Sequence, residues 1–480
     1  MKRPHVLVFP LPLQGHMIPL LDLSLSLAPR GLALTLLTTP ENEPLLRPLL
    51  STASSQDLFI QSLIISLPPP THGLTLNEIQ LPHLIYSQKG LADPLEQWLL
   101  QQKLNESSDE FGPVICIISD FFLGWTQDTA TKVGIPRVVF SPSGAFAISV
   151  ISSLWKYMPH LGVESDDGEV PIPGFPHPLT LRKFQLSPLA QAYESSDPVH
   201  EFIKYIMNLN IQSWGALINT FYSLETPYVD HLRTISGRPV WSVGPLLPPA
   251  VFHHEQKQKQ KQEMNPQRGN PNSINEALCL QWLDCRKEKS VVYVCFGSLA
   301  TLSEKQNEEI ASGLEASGES FIWVIRDNEN DKVGISQSYE ERVKEKGLII
   351  RGWAPQLLIL SHPSVGCFVT HCGWNSTLES ITLGIPMIAW PLTADQHSDA
   401  LLLVEYLRVA VRLCEGLHVL PNRDLLASAV KRVVGGQGEE GMRVQELSRA
   451  AREAVKQGGS SSSNLEVFVA CIQNLAHDNL

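Results

Sequence analysis

Apolar runs with the length and composition of β-strands alternate with helical patterns along the chain, and this alternation restricts the fold more than any other feature. Continuous apolar strands of this kind are typical of parallel sheets that helices cover on both faces. Helical segments such as 304–317 separate the runs, as βαβ units require. The predicted strands form a first and a second series: 5–12, 32–39, 114–120, 137–142, 216–221 and 240–245, then 290–298, 320–326, 347–353, 365–371 and 386–391.

A polar, repetitive stretch separates the two series. Residues 248–275 include HHEQKQKQKQEMNPQRGNPN, a composition typical of a flexible linker. The sequence therefore predicts an α/β protein with two Rossmann-like α/β/α domains facing each other across a cleft, over 1–247 and 276–463. A helix over 464–480 is expected to pack back onto the first domain. Ligands bind beyond the carboxyl ends of parallel strands, so such a cleft suits a reaction between two substrates.

Charge and hydropathy argue against several classes of protein. The formal net charge of the 480 residues is −12, which disfavours nucleic-acid binding because phosphates would be repelled. No run of about 18 apolar residues occurs, so no membrane anchor is expected. The apolar amino terminus is interrupted by His5, Pro10 and Pro12 and lacks a small-residue cleavage site, which indicates a buried first strand rather than a signal peptide. We expect a cytoplasmic monomer.

The cysteines and acidic residues predict neither a disulfide framework nor a metal site. The 8 cysteines are sparse, and several lie in apolar runs as buried thiols would. Cys367, His371 and Cys372 lie close together, but no second pair at zinc-like spacing accompanies them. The chain also lacks Asp-x-Asp, with which many metal-dependent sugar transferases hold a divalent ion. No cofactor is expected, so a bound diphosphate would need a helix amino terminus with neutral or cationic donors.

A glycine motif raises the alternative of a nicotinamide oxidoreductase. Gly436, Gly438 and Gly441 spell G-x-G-x-x-G, but they follow a helical pattern instead of a strand. The turn after the first strand, LPLQGHM, carries no such fingerprint. The motif is therefore interpreted as a loop between helices, and no P-loop sequence is present to indicate a kinase or ATPase.

The segment from Trp353 to Gln396 contains the strongest candidate anion site. Its strand VGCFVTH ends at His371, Gly373 permits a tight turn, and Asn375 begins a helix. The free N–H groups and short polar side chains of such a helix start suit a diphosphate. From the residues alone, simple helix capping is the better explanation.

The same segment resembles the signature box of the plant secondary-product UDP-glycosyltransferases, a large family with the GT-B fold. The elements W-A-P-Q, H-C-G-W-N-S, E, G-x-P, P and D-Q fall at matching spacing over Trp353–Gln396, and the resemblance extends over the first domain. It implies a UDP-sugar donor and a small acceptor as substrates.

The resemblance implies a role for each matching residue that contacts the nucleotide. Trp353 would stack on the uracil ring, and the Ala354 backbone would bond its edge. Gln356 and Glu379 would bond the ribose hydroxyls, since a carboxylate accepts two hydrogen bonds from a vicinal diol. The diphosphate would be held by four side chains: Ser298, His371, Asn375 and Ser376.

Residues at the end of the segment are expected to bind the sugar. By the resemblance, the sugar hydroxyls would be held by Trp374, Asp395 and Gln396. Trp374 would also lie near the nucleotide, and Ser141 would lie near the 6-hydroxyl of the sugar. Gln at position 396 is similar to the glucose-using members of the family, which predicts UDP-glucose as the donor. UDP-xylose, UDP-rhamnose and UDP-galactose remain the alternatives.

A histidine and an aspartate in the first domain are the candidate catalytic pair. His16 follows the first strand in Q-G-H, and Asp120 ends a strand in S-D-F-F. A neutral His can remove the proton of a phenol near pH 7, and a buried Asp can fix its tautomer. Both positions match the family, which implies direct displacement with inversion. A non-catalytic UDP-sugar-binding protein would be expected to lack one of the two.

The acceptor is the least defined part of the prediction. Aromatic residues near the first-domain strand ends favour a flat phenolic acceptor such as a flavonoid or benzoate. The predicted lining residues are Phe121, Phe122, Trp125 and Phe146. Lipid or glycan acceptors on the same fold remain an alternative.

Overall fold

The computed structural model describes residues 3–68, 80–104, 111–252, 272–298, 300–326 and 335–478. The chain divides into two compact units. The N-terminal unit comprises Met1–Lys183, Pro188–Leu246 and Ala454–Leu480, and the C-terminal unit comprises Phe184–Ser187 and Leu247–Glu453. The main segment of the second unit thus begins one residue before the predicted linker, and it ends ten residues before position 463. Most of that linker, 253–271, lies outside the described residues.

The described residues contain fifteen strands, and except for β4 those that were predicted are shorter than their apolar runs. They are, in chain order, β1 Arg3–Phe9, β2 Ala33–Thr38, β3 Ile60–Ile64, β4 Phe111–Asp120, β5 Arg137–Ser141, β6 Glu169–Pro171, β7 Thr180–Arg182, β8 Gly215–Ile218, β9 Val240–Ser242, β10 Val291–Cys295, β11 Ser320–Ile325, β12 Gly347–Arg351, β13 Val365–Thr370, β14 Met387–Ala389 and β15 Ala410–Arg412.

Each unit is built on one parallel sheet, and the predicted α/β class is confirmed. The N-terminal sheet has seven strands in the order β3-β2-β1-β4-β5-β8-β9, and the C-terminal sheet has six in the order β12-β11-β10-β13-β14-β15. Every pairing within these two sheets is parallel. Strand order reverses between β1 and β4 and again between β10 and β13, which opens a ligand-binding crevice at each carboxyl edge.

Helices connect the strands of both sheets. In chain order they are α1 Gln14–Leu27, α2 Arg47–Ser55, α3 Leu81–Ser87, α4 Ala92–Leu104, α5 Thr126–Val133, α6 Ala145–Tyr157, α7 Pro188–Gln191, α8 Pro198–Leu209, α9 Tyr222–Ser236, α10 Glu276–Asp284, α11 Glu304–Ser317, α12 Gln337–Val343, α13 Gln356–Leu360, α14 Trp374–Leu383, α15 Gln396–Leu401, α16 Arg423–Val433, α17 Glu439–Val455 and α18 Ser460–Asp478. None of the described helices combines the length and apolarity needed to span a bilayer.

The last helix, α18, packs on the N-terminal sheet. Phe468 is fully buried and meets Trp241 of β9 edge-on, with ring centroids 5.2 Å apart. Asn464 donates to the Ser242 carbonyl at 2.9 Å. Phe468 shares one apolar core with strand residues such as Val6. Burial of this apolar face therefore joins the end of the chain to the N-terminal unit.

A buried histidine makes the N-terminal unit sensitive to acid. His5 lies on β1, with Nδ1 2.7 Å from the Gly112 carbonyl and Nε2 2.7 Å from Thr35 Oγ1. Burial lowers the pKa of His5 from 6.5 to about 4. The unfolded chain therefore binds this proton at a higher pH than the folded chain does. The contribution of neutral His5 to the free energy of unfolding is fully present above pH 6.5 and is lost as the pH falls toward 4.

We expect His5→Gln to flatten this acid dependence, because Gln cannot take up the proton. The wild type should lose about 3 kcal/mol more than the variant between pH 7 and pH 4. Urea unfolding across that range measures the difference. His83→Gln, a substitution at an exposed position in the same unit, should show the same pH dependence of the free energy of unfolding as the wild type. Parallel pH curves for His5→Gln and the wild type would contradict the assignment.

Candidate active site

The candidate catalytic pair lies where strand order reverses in the N-terminal sheet. His16 is in the first turn of α1, which follows β1, and Asp120 is the last residue of β4. His16 Nδ1 lies 2.7 Å from Asp120 Oδ2. The other carboxylate oxygen, Oδ1, accepts the Phe122 N–H at 2.9 Å. The chain thus brings together two residues that are 104 positions apart.

The surroundings of this pair hold the imidazole in one orientation. The Asp120 side chain is 0% exposed and that of His16 is 17% exposed. The His16 ring stacks on Phe121 at 5.8 Å and lies 5.4 Å from Phe122. Because the Nδ1–H group donates to Asp120, Nε2 is the nitrogen that can accept a proton.

A buried arginine that was not predicted from the sequence forms hydrogen bonds at the end of β4, where Asp120 lies. Arg137 begins β5 and is 0% exposed. Its Nη2 donates to the Asp120 carbonyl at 3.2 Å, and its Nε donates to Ser119 Oγ at 2.8 Å. Its Nη1 donates to Asn210 Oδ1 and Ser213 Oγ. Asn210 in turn donates to the Phe121 carbonyl at 2.9 Å, so the guanidinium and this amide bracket residues 119–121.

An apolar cavity of the N-terminal unit shares one wall residue, Phe121, with the surroundings of the candidate pair, and it extends to Gly215 and Val240 at the amino ends of β8 and β9. It lies within the N-terminal unit between the sheet and helices α6, α8 and α9, and the space it encloses together with the solvent at its mouth is about 830 Å³. Phe121 and Ser141 belong to its wall, together with Ile148, Trp155 and Ile211. Phe121 therefore contacts both His16 and this apolar space. Nine of the 21 lining residues lie on α6, α8 and α9, and none of these nine was among the predicted acceptor residues.

The other predicted acceptor residues are packed close to the pair or in the interior. Phe122 contacts His16, as described above. Trp125 is 3% exposed and meets Phe9 edge-on at 5.9 Å. Phe146 is fully buried against Phe175 and Tyr228. Contact of these side chains with an acceptor stays a prediction.

In the C-terminal unit, the predicted diphosphate residues surround the point of strand reversal between β10 and β13. Ser298 follows β10, and His371 follows β13. A Cβ atom on Gly297 would lie 2.4 Å from His371 Nε2, and one on Gly373 would lie 2.5 Å from it. Only glycine fits at both positions, because the imidazole needs this close approach of the backbone.

His371 is a neutral hydrogen-bonding group in this setting. Burial, together with the charge of Arg326, lowers its pKa to about 4. Its Nδ1 is buried and has no hydrogen-bond partner in the described part of the chain. Asn375 and Ser376 follow in the first turn of α14, whose N-cap is Gly373. A helix start beside a neutral donor is an arrangement that suits an anion.

Three predicted nucleotide residues form one polar cluster. Gln356 Nε2 donates to Ser376 Oγ and to Glu379 Oε2, each at 2.9 Å. These contacts join the start of α13 to α14 and orient the Glu379 carboxylate. The sequence separates these residues by as many as 23 positions, and the fold brings them together.

Trp353 and Ala354 lie just before α13. The Trp353 N–H donates to Ser273 Oγ at 2.8 Å, and the Arg326 guanidinium carbon lies 5.4 Å from the centroid of its ring. Ala354 is buried. Arg326 was not among the predicted site residues.

The predicted sugar-binding residues occupy two helix starts. Trp374 begins α14 and is 4% exposed. Asp395 is the N-cap residue of α15, and Gln396 is its first residue. The Gln396 Oε1 atom accepts from the Leu392 and Thr393 N–H groups at 3.0 and 3.1 Å. Its amide NH2 group is therefore the part that can donate to a ligand. Within the described residues, no cluster of three or more His, Cys, Asp or Glu could hold a metal ion.

Comparison with known proteins identifies the family. Residues 262–451 match the family model described as UDP-glucoronosyl and UDP-glucosyl transferase. The chain is 38% identical to flavonol 3-O-glucosyltransferase UGT89B1 of Arabidopsis thaliana, covering 98% of this chain and 97% of that protein. It is 41% identical to UDP-glycosyltransferase 89B2 of Stevia rebaudiana, covering 97% of each. The chain belongs to the plant UDP-glycosyltransferases.

A solved structure agrees with this family and its GT-B fold. The crystal structure of Arabidopsis thaliana UGT89C1 with UDP-L-rhamnose matches with a TM-score of 0.77 at 33% identity, over 98% of this chain and 100% of that one. This UDP-glycosyltransferase therefore has two Rossmann-like units, and it is an enzyme that uses a UDP-sugar.

Proposed function

We propose that this glycosyltransferase transfers glucose from UDP-glucose to a hydroxyl of a small aromatic acceptor, with inversion at the anomeric carbon. The observation that carries this proposal is the 2.7 Å contact between His16 and the buried Asp120 at the carboxyl edge of the N-terminal sheet. It provides an oriented base, and Phe121, on which the His16 ring stacks, also lines an apolar cavity of a kind suited to an aromatic ring.

In the proposed mechanism, His16 Nε2 takes the hydroxyl proton as the acceptor oxygen attacks the anomeric carbon. The bond from that carbon to the β-phosphate oxygen breaks, and UDP leaves with the bonding electrons. Asp120 stabilises the imidazolium that forms and holds the tautomer, as the aspartate of a serine-protease triad does.

The C-terminal unit supplies the donor contacts in this proposal. Gln356 and Glu379, already joined at 2.9 Å, face the ribose hydroxyls, and the Trp353 ring stacks on uracil. His371, Asn375, Ser376 and Ser298 hold the diphosphate. The Gln396 amide, Asp395 and Trp374 bind the sugar hydroxyls, with Ser141 near the 6-hydroxyl.

Two relatives of the chain differ in the donor sugar that they indicate. One of them also suggests the class of the acceptor. The relative from Arabidopsis thaliana named above is a flavonol 3-O-glucosyltransferase, which supports glucose and a flavonol-like acceptor. UGT89C1 was crystallised with UDP-L-rhamnose. Gln396 favours glucose for this chain.

The donor prediction is tested by pairing a panel of UDP-sugars with a panel of phenols. We expect UDP-glucose to give the highest kcat/KM, and mass spectrometry of the product should show one added hexose. A clearly higher kcat/KM with UDP-rhamnose, UDP-xylose or UDP-galactose would reject glucose. Failure of every UDP-sugar with every phenol would reject the proposed function.

A further inference from the structure

We infer that Arg326 is a donor-binding residue that neutralises the diphosphate of the UDP-sugar. This inference rests on the proposed function, and it adds a cation to a site otherwise predicted to be built from neutral donors and acids. Arg326 directly follows β11, the neighbour of β10 in the sheet, and so lies at the carboxyl edge where His371 lies.

The side chain of Arg326 is held toward this edge by two contacts. Its Nε donates to the Gly297 carbonyl at 2.7 Å. Gly297 is also the residue whose missing Cβ leaves room for His371. The guanidinium carbon lies 5.4 Å from the centroid of the Trp353 ring, within the range of a cation–π contact. Arg326 therefore lies beside residues predicted to bind both the base and the phosphates.

The positive charge of Arg326 is not balanced within the described residues. In that part of the chain no carboxylate pairs with it, and its terminal Nη atoms have no hydrogen-bond partner. The other arginines near the ends of the sheet strands differ in this respect. Arg351 of β12 pairs with Glu340, and Arg412 of β15 pairs with Glu415.

A diphosphate would supply a negative charge that the described residues do not provide to Arg326. The other predicted phosphate contacts are hydroxyl, amide and N–H groups, and His371 is uncharged at neutral pH. A planar guanidinium presents two parallel N–H groups, which suit the paired oxygens of a phosphate. The half-buried position of Arg326 strengthens this interaction, because fewer water molecules compete for the charge.

The test compares the binding of UDP and uridine to Arg326→Met by titration calorimetry. We expect UDP to bind about 10- to 100-fold more weakly, as for loss of a charged hydrogen bond, while uridine binds unchanged. The KM for UDP-glucose should rise by a similar factor, and Arg326→Lys should fall between the two. Arg342→Met is the matched control, because Arg342 lies in the same unit and pairs with Glu315 on the surface.

The possible outcomes separate this inference from the proposed function. Unchanged UDP binding in Arg326→Met would overturn the inference. Equal losses for UDP and uridine would also overturn it, because they would show a structural role instead of phosphate binding. If the wild-type protein itself bound no UDP, the proposed function would be rejected, and the inference about Arg326 would be rejected with it.

Discussion

Replacing His16 by alanine is expected to lower kcat/KM for phenol glucosylation by about 10²- to 10⁴-fold, the usual contribution of a positioned general base. The substitution removes the only group of the proposed mechanism that takes up the acceptor proton. The affinity for UDP should stay within about twofold, because the predicted UDP contacts lie in the other unit. Steady-state kinetics and calorimetry measure the two effects separately.

Two further variants make this result specific. Asp120→Asn preserves the shape of the side chain but removes the negative charge that stabilises the imidazolium. Its kcat/KM should therefore fall by a factor comparable to that of His16→Ala. His83→Ala, at an exposed position in α3, should leave kcat/KM unchanged. Near-wild-type turnover by His16→Ala would exclude His16 as the base.

Much of the fold was predictable because parallel strands covered on both faces must be apolar throughout. Each of the eleven apolar runs overlaps a strand of one of the two sheets. The two parallel strands that were missed, β3 and β15, lie at sheet edges. β3 is only partly buried and contains polar residues, and β15 has three residues, so neither carries a continuous apolar signal.

The candidate site was predicted less completely, for a physical reason. His16 and Asp120 each follow or end a strand, so their positions at a sheet edge could be inferred from local sequence. Arg137 and Arg326 gave no such signal, because an arginine beside an apolar run is usually exposed. Their importance depends on partners distant in the chain, such as Asn210, which is 73 positions from Arg137.

Arg137→Met is expected to destabilise the N-terminal unit by about 3 kcal/mol or more. Burial lowers the pKa of Arg137 to about 9, so the side chain remains charged at neutral pH. Methionine would leave the Ser119, Asn210 and Ser213 acceptors without their donor, and it would remove the cation near Asp120. Removing one partner from such a buried charged network lowers the free energy of unfolding strongly, because the remaining polar groups stay buried without a partner. The midpoint of urea unfolding measures the effect.

The control for this prediction is Arg182→Met, which removes an equal charge from an exposed ion pair with Asp167 and should change stability by less than about 1 kcal/mol. Arg137→Lys keeps the charge but loses the planar fork, so it should recover only part of the stability. Because Arg137 also donates to the Asp120 carbonyl, the folded fraction of Arg137→Met should lose turnover while binding UDP normally. Equal stability of Arg137→Met and Arg182→Met would mean that the buried guanidinium does not hold the end of β4 in place.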